Sequence, residues 1–336
     1  MQDAGYDTDK PMTDDGIFYH FALLLLLFFV VYCLYPATTL AMHILQLVIL
    51  LQWFVHIPAC LALIVPLLAA NPAVSLKGIT LQRLSDGESV DLGETLSLSG
   101  KTMLVLGSHP ADFNLIEYAQ KVRVFWPQMK EKGIERCIIV MNGEKSSCRK
   151  LAELLELPDE IEILPDPTGE SGRRFGVSRG WRPDDIRISP ILKTTVVGLG
   201  FGPPWGTLPA VLTGYIGNPN GRREWIEESL KQGQLSGRWP TVLDIADDGN
   251  VVGNKFDDFP LLSGWGRRPF ELATLRLQNL VDIQIKHWDE LKPVDDRCLT
   301  QLGGCTVVSD DGVPIYSWVD TGLCDIPDFD KLLSEL

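Results

Sequence analysis

The pattern of hydrophobic and polar residues divides the chain into an apolar beginning and a mixed, charged remainder. Residues 17–35 are almost uncharged, and residues 40–70 contain no Lys, Arg, Asp or Glu. Each segment is about long enough to cross a bilayer as a helix, which needs about 20 residues. Because only a short Pro-containing connection separates the two segments, we expect them to form a helical hairpin.

A removable targeting sequence is the alternative interpretation of these apolar segments. Residues 1–16, an acidic tail, contain five Asp and one Lys, which is the wrong sign for the basic start of a secretory signal. A start at Met42 would instead give a signal-like or plastid-targeting sequence that ends at Ala69 and Ala70. We therefore interpret residues 17–70 as a membrane anchor, with the targeting segment as the alternative.

From residue 76 onward the chain alternates between the periodicities of strands and helices. Short buried strands are predicted at 103–107, 135–143 and 161–166, and helices at 112–132, 146–157 and 168–177. Ser146 or Ser147 is expected to cap the second helix, and Pro127 to weaken the end of the first. This β-α-β-α-β order predicts an α/β fold with a parallel sheet and helices on its faces.

Residues 178–265 interrupt this alternation. They are dense in Gly, Pro and aromatic residues, which is typical of a folded loop packed on a surface. After them, the pattern predicts a long helix at 267–288, a β-hairpin that turns at 309–312, and a short last helix. The order is that of a thioredoxin-like fold in which residues 76–177 and 266–336 form the domain and residues 178–265 an insertion.

Composition and charge narrow the range of functions. With 45% hydrophobic residues the chain can bury a sizeable core, and its formal net charge of −14 argues against nucleic-acid binding. The seven cysteines are scattered, without CxxC or zinc-site spacing, so neither a disulfide framework nor a structural metal is expected. No cofactor is predicted either, since the glycine-rich stretch at 198–206 lacks the spacing of a dinucleotide-binding loop.

Several longer stretches carry a resemblance to a known family. They read LSGKTMLVLG, DFNLIEYAQ, GPPWGTLPAVLTGYIG, RRPFELATLRLQNL and LTQLGG. Together they resemble the peroxiredoxin-like branch of the alkyl hydroperoxide reductase/thiol-specific antioxidant superfamily, and most closely its cyanobacterial and plastid members, over residues 79–336. The resemblance implies a thioredoxin-like fold, a location at a plastid or thylakoid membrane, and a photosynthetic membrane-protein complex as partner.

The same resemblance implies that a catalytic thiol would lie at the start of the helix at 112–132. A peroxiredoxin needs a thiolate there, because the helix dipole and free backbone N–H groups lower the pKa of the thiol. The corresponding residues 108–113 read SHPADF and contain no cysteine. By analogy with the fold, Cys305 is placed near His109, where a thiol and an imidazole would activate each other, with Cys298 as a resolving partner.

Cys148 is a second candidate thiol, because it lies in the first turn of the predicted helix 146–157. Two functions from different classes follow from these observations. The first is a membrane-associated, peroxiredoxin-like protein that lacks the usual cysteine and acts as a binding, assembly or accessory subunit at a photosynthetic membrane. The second is a thiol-dependent oxidoreductase, reducing peroxides or disulfides, with catalytic residues among Cys305, His109 and Cys148.

Overall fold

The computed structural model describes residues 71–98, 100–198, 200, 203–257 and 265–336. The apolar segments at 17–35 and 40–70, and with them the predicted anchor and its targeting alternative, lie outside these residues. In the part of the chain that is described, no helix is both long and apolar enough to span a bilayer.

The described chain begins with two short helices and a small hairpin that the sequence pattern did not predict. They are α1 (Pro72–Ser75), β1 (Thr80–Gln82), β2 (Ser89–Asp91) and α2 (Leu92–Leu98). The two strands pair antiparallel, and the side chain of Asn71 caps α1 by accepting a hydrogen bond from the Ala73 N–H at 2.9 Å. The Leu84 N–H donates to the Ile163 carbonyl, which joins the hairpin to the central sheet.

A mixed sheet forms the centre of the fold. The strands from here on are β3 (Thr102–Leu106), β4 (Arg136–Met141), β5 (Ile161–Pro165), β6 (Leu243–Ile245), β7 (Val251–Asn254), β8 (Gly304–Val308) and β9 (Pro314–Val319). The central sheet has the order β5-β4-β3-β8-β9, and β6 pairs with β7 as a separate hairpin. The predicted parallel pairing is confirmed for β3, β4 and β5, whereas β8 and β9 run antiparallel. Every residue of β3 and β8 is buried, because helices cover both faces.

The remaining helices follow along the chain. They are α3 (Phe113–Glu131), α4 (Lys145–Leu155), α5 (Glu170–Phe175), α6 (Pro190–Gly198), α7 (Thr207–Val211), α8 (Glu224–Leu235), α9 (Arg268–Gln278), α10 (Trp288–Leu291) and α11 (Phe329–Glu335). Wider π-type turns extend α7 to Ile216 and α9 to Ile285. The helices predicted at 112–132, 146–157, 168–177 and 267–288 are thus confirmed, with bounds that differ by a few residues. Pro127 lies inside α3, which continues to Glu131.

The predicted cap of α4 is wrong. The helix begins at Lys145, before either serine, and Glu144 occupies the N-cap position without a capping hydrogen bond from its side chain. The hydroxyl of Ser147 instead donates to the Glu144 carbonyl at 2.9 Å.

The loop predicted for residues 178–265 is also wrong over much of its length. This insertion contains α6, α7, α8 and the β6/β7 hairpin. The amphipathic helix α8 buries Trp225 at 4% exposure, and the indole of Trp239 lies so close to Gly233 that a Cβ there would meet ring atoms at 1.9 Å. Aromatic residues counted as loop residues therefore build part of the core, while Trp205 and Trp265 stay 46% and 41% exposed.

The core lies on the two faces of the central sheet. Alternate residues of β3, such as Met103 and Val105, face the cluster formed with α3, α4, α8, α9 and α11. The intervening residues, such as Leu104 and Leu106, face a second cluster formed with α1 and α2. Successive residues of a strand point to opposite faces of its sheet, so β3 contributes to both clusters. Elements from both halves of the chain therefore surround the end of β3 and the start of α3.

Candidate functional site

The turn between β3 and α3 is buried. Residues 107–111 have no exposed member; Ser108 and His109 are 0% and 1% exposed. Asp112 is the N-cap of α3, and its carboxylate accepts hydrogen bonds from the Asn114 N–H at 2.8 Å and from the Ser108 hydroxyl at 2.6 Å. The turn is therefore a well-formed helix start in which Ser108 and Asp112 satisfy each other and the backbone.

His109 lies in this turn and contacts the first residue of α10, Trp288. Its ring and the Trp288 indole form a T-shaped pair with centroids 6.2 Å apart, and its Nδ1 has no hydrogen-bond partner among the described residues. Burial lowers the pKa of His109, against the charge of Asp112 and a hydrogen bond with the backbone of Leu299. The imidazole is consequently held neutral at pH 7, buried and in contact with Trp288.

Cys305 lies on β8, opposite Val105 of β3, and is 0% exposed. Its thiol interacts with Tyr118 and Asp320, while His109 interacts with Trp288 and Leu299. Burial, followed by the charge of Asp320, raises the pKa of the Cys305 thiol strongly. The structure thus brings Cys305 together with Tyr118 and Asp320.

Cys148 and Cys298 are buried as well, each at 0% exposure. Cys148 lies in α4 with its sulfur 4.0 Å from the Met141 carbonyl, and burial raises the pKa of its thiol to about 12. The Cys298 thiol donates to the Thr168 carbonyl at 3.4 Å, and burial raises its pKa to about 11. The described cysteines are all free thiols, and none of the three discussed so far has the environment that produces a thiolate near neutral pH.

A cluster around Asp320 is the main polar feature that the sequence interpretation missed. Asp320 follows β9 directly and is 1% exposed. Its carboxyl accepts hydrogen bonds from the Tyr118 hydroxyl at 2.7 Å and from the Asn114 side chain at 2.8 Å. Burial raises the pKa of Asp320 to about 8, because those two hydrogen bonds offset only part of the desolvation.

Asn114 connects this carboxyl to the loop that follows β9. Its amide nitrogen also donates to the Gly322 carbonyl at 3.0 Å, and its oxygen accepts the Cys324 N–H at 2.9 Å. The loop 320–324 is therefore fixed to the first turn of α3 by one side chain. A single Asp at the end of an alternating strand gives little indication of such a cluster, because its partners lie about 200 positions away in the sequence.

Within the described residues, no group of three or more His, Cys, Asp or Glu side chains is arranged to hold a metal ion. The buried polar groups at the start of α3 mainly satisfy one another, and the site is covered by α10 and by the segment that leads into β8. No protein-family model, no curated protein and no solved structure matches the chain significantly.

Proposed function

We propose that the chain is a membrane-associated, thioredoxin-like protein whose domain binds a partner rather than turning over peroxides. The order β5-β4-β3-β8-β9 and the position of α3 after the central strand support the thioredoxin-like part of this proposal. Three parallel strands, two antiparallel strands and a helix that starts beside the sheet centre are the arrangement expected from the resemblance. Association with the membrane rests on the apolar residues 17–70.

The observation that carries the proposal is the burial of the helix start where a catalytic thiol would be needed. Residues 108 and 109 are at most 1% exposed, neither is a cysteine, and the histidine ring contacts Trp288. A peroxide would have to reach a buried turn that has no thiol. Because catalysis by cysteine requires an accessible thiolate, this turn favours a structural role.

The oxidoreductase function, which the sequence left open, requires Cys305 or Cys148 as nucleophile. Both sulfurs belong to fully buried side chains, and burial raises the pKa of both thiols. We therefore do not propose it. The photosynthetic membrane complex remains the partner that we propose, because the resembling stretches are typical of cyanobacterial and plastid members.

The exposed aromatic side chains of the insertion are the surface that we propose for binding. Trp205 and Trp265 are 46% and 41% exposed, and Ile186 is 95% exposed. Large exposed apolar side chains are suited to a protein-protein or membrane contact where they lie side by side. Their replacement is expected to cost little stability, since they are not part of the core.

The experiment compares three tagged chains in a cyanobacterium or plant: the full chain, residues 1–75 alone, and the full chain with Trp205→Ala and Trp265→Ala. Membranes are washed with carbonate and then solubilised in mild detergent, and complexes are separated on native gels. The full chain is expected to stay with the membrane and to co-migrate with a membrane complex, which residues 1–75 and the double variant lose. Extraction by carbonate, or a complex that residues 1–75 retain, would contradict the proposal.

A further inference from the structure

The loop that follows β9, residues 320–325, contacts the start of α7 in the insertion at two points. The Gly206 N–H donates to the Thr321 carbonyl at 2.7 Å, and the Leu323 N–H donates to the Thr207 hydroxyl at 3.0 Å. The second of these bonds is buried and spans 116 positions of the sequence. The loop and the start of α7 therefore hold each other in place.

Glycine residues allow this close approach from both sides. A Cβ at Gly206 would overlap the carbonyl and hydroxyl oxygens of Thr321, and a Cβ at Gly322 would overlap the backbone of Gly206 and Thr207. Segments packed this closely leave no space in which one of them could shift alone. A displacement of the loop therefore displaces the start of α7 as well.

Strained backbone lies on both sides of these contacts. Trp205, immediately before Gly206, has a φ of 67°, and Cys324, immediately after Leu323, has a φ of 69°. Non-glycine residues adopt this left-handed region rarely, and they persist in it only where the surrounding structure fixes them. The side chain of Trp205 is 46% exposed, so the contacts of its neighbour Gly206 are what hold its backbone. Opening of the loop would release this strain.

Asp320, the first residue of the loop, attaches it to the sheet and to α3. Its N–H donates to the Gly303 carbonyl at 2.9 Å. Its buried carboxyl accepts from the Tyr118 hydroxyl at 2.7 Å and from the Asn114 side chain at 2.8 Å. Because this carboxyl lies at the root of the loop, its protonation state affects how firmly the loop stays attached.

The surroundings of the Asp320 carboxyl offer no positive charge to an ionised form. The titratable groups that face it are Tyr118 and Asp112 on α3, Cys305 on β8 and Asp325 in the loop itself, and none of them is a cation. Burial raises its pKa to about 8 in the closed loop, whereas a hydrated carboxyl in an open loop returns toward its ordinary 3.8. Loss of the proton therefore favours the open loop.

From this geometry we infer that residues 320–325 are a clasp on α7, which stays closed while Asp320 is protonated and opens, releasing Trp205 from its fixed position, when Asp320 loses its proton. Opening hydrates the carboxylate, breaks the two hydrogen bonds to Gly206 and Thr207, and lets Trp205 leave the left-handed region. The consequence for binding rests on the proposed function, in which Trp205 contacts the partner. A closed clasp pre-organises that side chain, so the affinity for the partner falls as pH rises.

Hydrogen exchange of the full chain in detergent, measured by mass spectrometry, tests the clasp without any partner. The informative peptides cover residues 203–211 and 320–326, and each rate is divided by the intrinsic exchange rate at the same pH. Opening releases one proton, so its equilibrium constant rises about tenfold for each pH unit below the pKa of the closed state. We expect the exchange of both peptides to rise together by about a hundredfold from pH 5 to pH 7.

Two variants of the carboxyl and its donor test the role of the proton. Asp320→Asn cannot ionise, so both peptides should stay protected and the rise should disappear. Tyr118→Phe removes one donor to the carboxylate and raises the pKa of Asp320 further, so the rise should continue to a higher pH before it levels off. Tyr118→Phe decides if Asp320→Asn does not fold. Asp310→Asn, at an exposed carboxyl, is the matched control and should keep the full rise.

Gly206→Ala tests the coupling from the side of α7. Its Cβ would displace Thr321, so the peptide 320–326 should exchange at least about tenfold faster already at pH 5. Gly214→Ala is the matched control, because a Cβ at Gly214 would meet nothing within 4 Å, and it should leave this peptide unchanged.

The amides of β4, in the central sheet, are the reference for global unfolding and should stay better protected than both peptides at every pH. Four results would overturn the inference: a rise below about tenfold from pH 5 to pH 7, a rise confined to one peptide, protection equal to that of β4, or a rise that Asp320→Asn retains. Where Tyr118→Phe decides, a rise that levels off at an unchanged pH would do the same. Absence of a partner complex would contradict the proposed function alone, because these exchange measurements need no partner.

Discussion

The buried carboxyl of Asp320 makes the stability of the fold depend on pH, and Asp320→Asn isolates that dependence. Burial raises the pKa of this group from its ordinary 3.8 to about 8. Between these values the folded chain keeps a proton that the unfolded chain loses, so the free energy of unfolding falls as pH rises from about 4 to about 8. Above pH 8 the free energy of unfolding has reached its lower limit for this group, and below pH 4 the group does not reduce it.

The size of the effect follows from the same two pKa values. At about 1.4 kcal/mol for each pH unit, the full difference corresponds to about 6 kcal/mol. The side-chain amide introduced by Asp320→Asn would keep an oxygen that accepts from Tyr118 but would have no charge to desolvate. Relative to the unchanged chain, this variant should therefore gain about 4 kcal/mol of stability between pH 5 and pH 8.

Urea unfolding of the full chain in non-ionic detergent, followed by tryptophan fluorescence, measures this difference at several pH values. Comparing the variant with the unchanged chain cancels the contributions of all other titrating groups. Asp310→Asn, at an exposed carboxyl in the turn after β8, is the matched control and should leave the pH dependence unchanged. A difference between Asp320→Asn and the unchanged chain that stays constant within about 1 kcal/mol from pH 5 to 8 would refute the reasoning.

Three further predictions concern the same region. Asn114→Ala removes three hydrogen bonds of 2.8–3.0 Å, two of them buried, and should lower the free energy of unfolding by about 3 kcal/mol in urea titrations; a loss below about 1 kcal/mol would show that water replaces the side chain. Cys305→Ser places a hydroxyl in a fully buried strand and should cost about 2 kcal/mol, more than Cys305→Ala; the reverse order would contradict this reading. Trp288→Ala opens the cover of His109, so the pKa of His109, followed by NMR of the imidazole, should rise toward its ordinary value of 6.5 and not fall.

The sheet and the long helices could be predicted because their residues repeat a local pattern. The apolar runs of β3 and β4 and the helical spacing in α3 are properties of neighbouring residues. For the insertion the sequence predicts a loop, because Gly and Pro are typical of loops. In the structure Gly233 allows close packing of Trp239, and helices form around it.

The candidate site was less accessible to prediction, because its contacts join residues far apart in the chain. The local pattern predicts that a helix starts near residue 112, and α3 begins at Phe113, but the contact of its preceding turn with Trp288 comes from another part of the chain. The contact of Asn114 with Cys324 spans 210 positions. No local pattern encodes such a contact, since its two residues come together only when β9 and its following loop pack on α3.

Peroxide consumption tests the central claim most directly. The full chain in detergent is mixed with hydrogen peroxide and a dithiol reductant, and its rate is compared with that of the reductant alone and of a Cys148→Ser, Cys305→Ser variant. We predict that the rate for the full chain stays at the level of the reductant and that the double substitution changes nothing, since both thiols are buried. Catalytic turnover that the double variant loses would contradict the account and restore the oxidoreductase function.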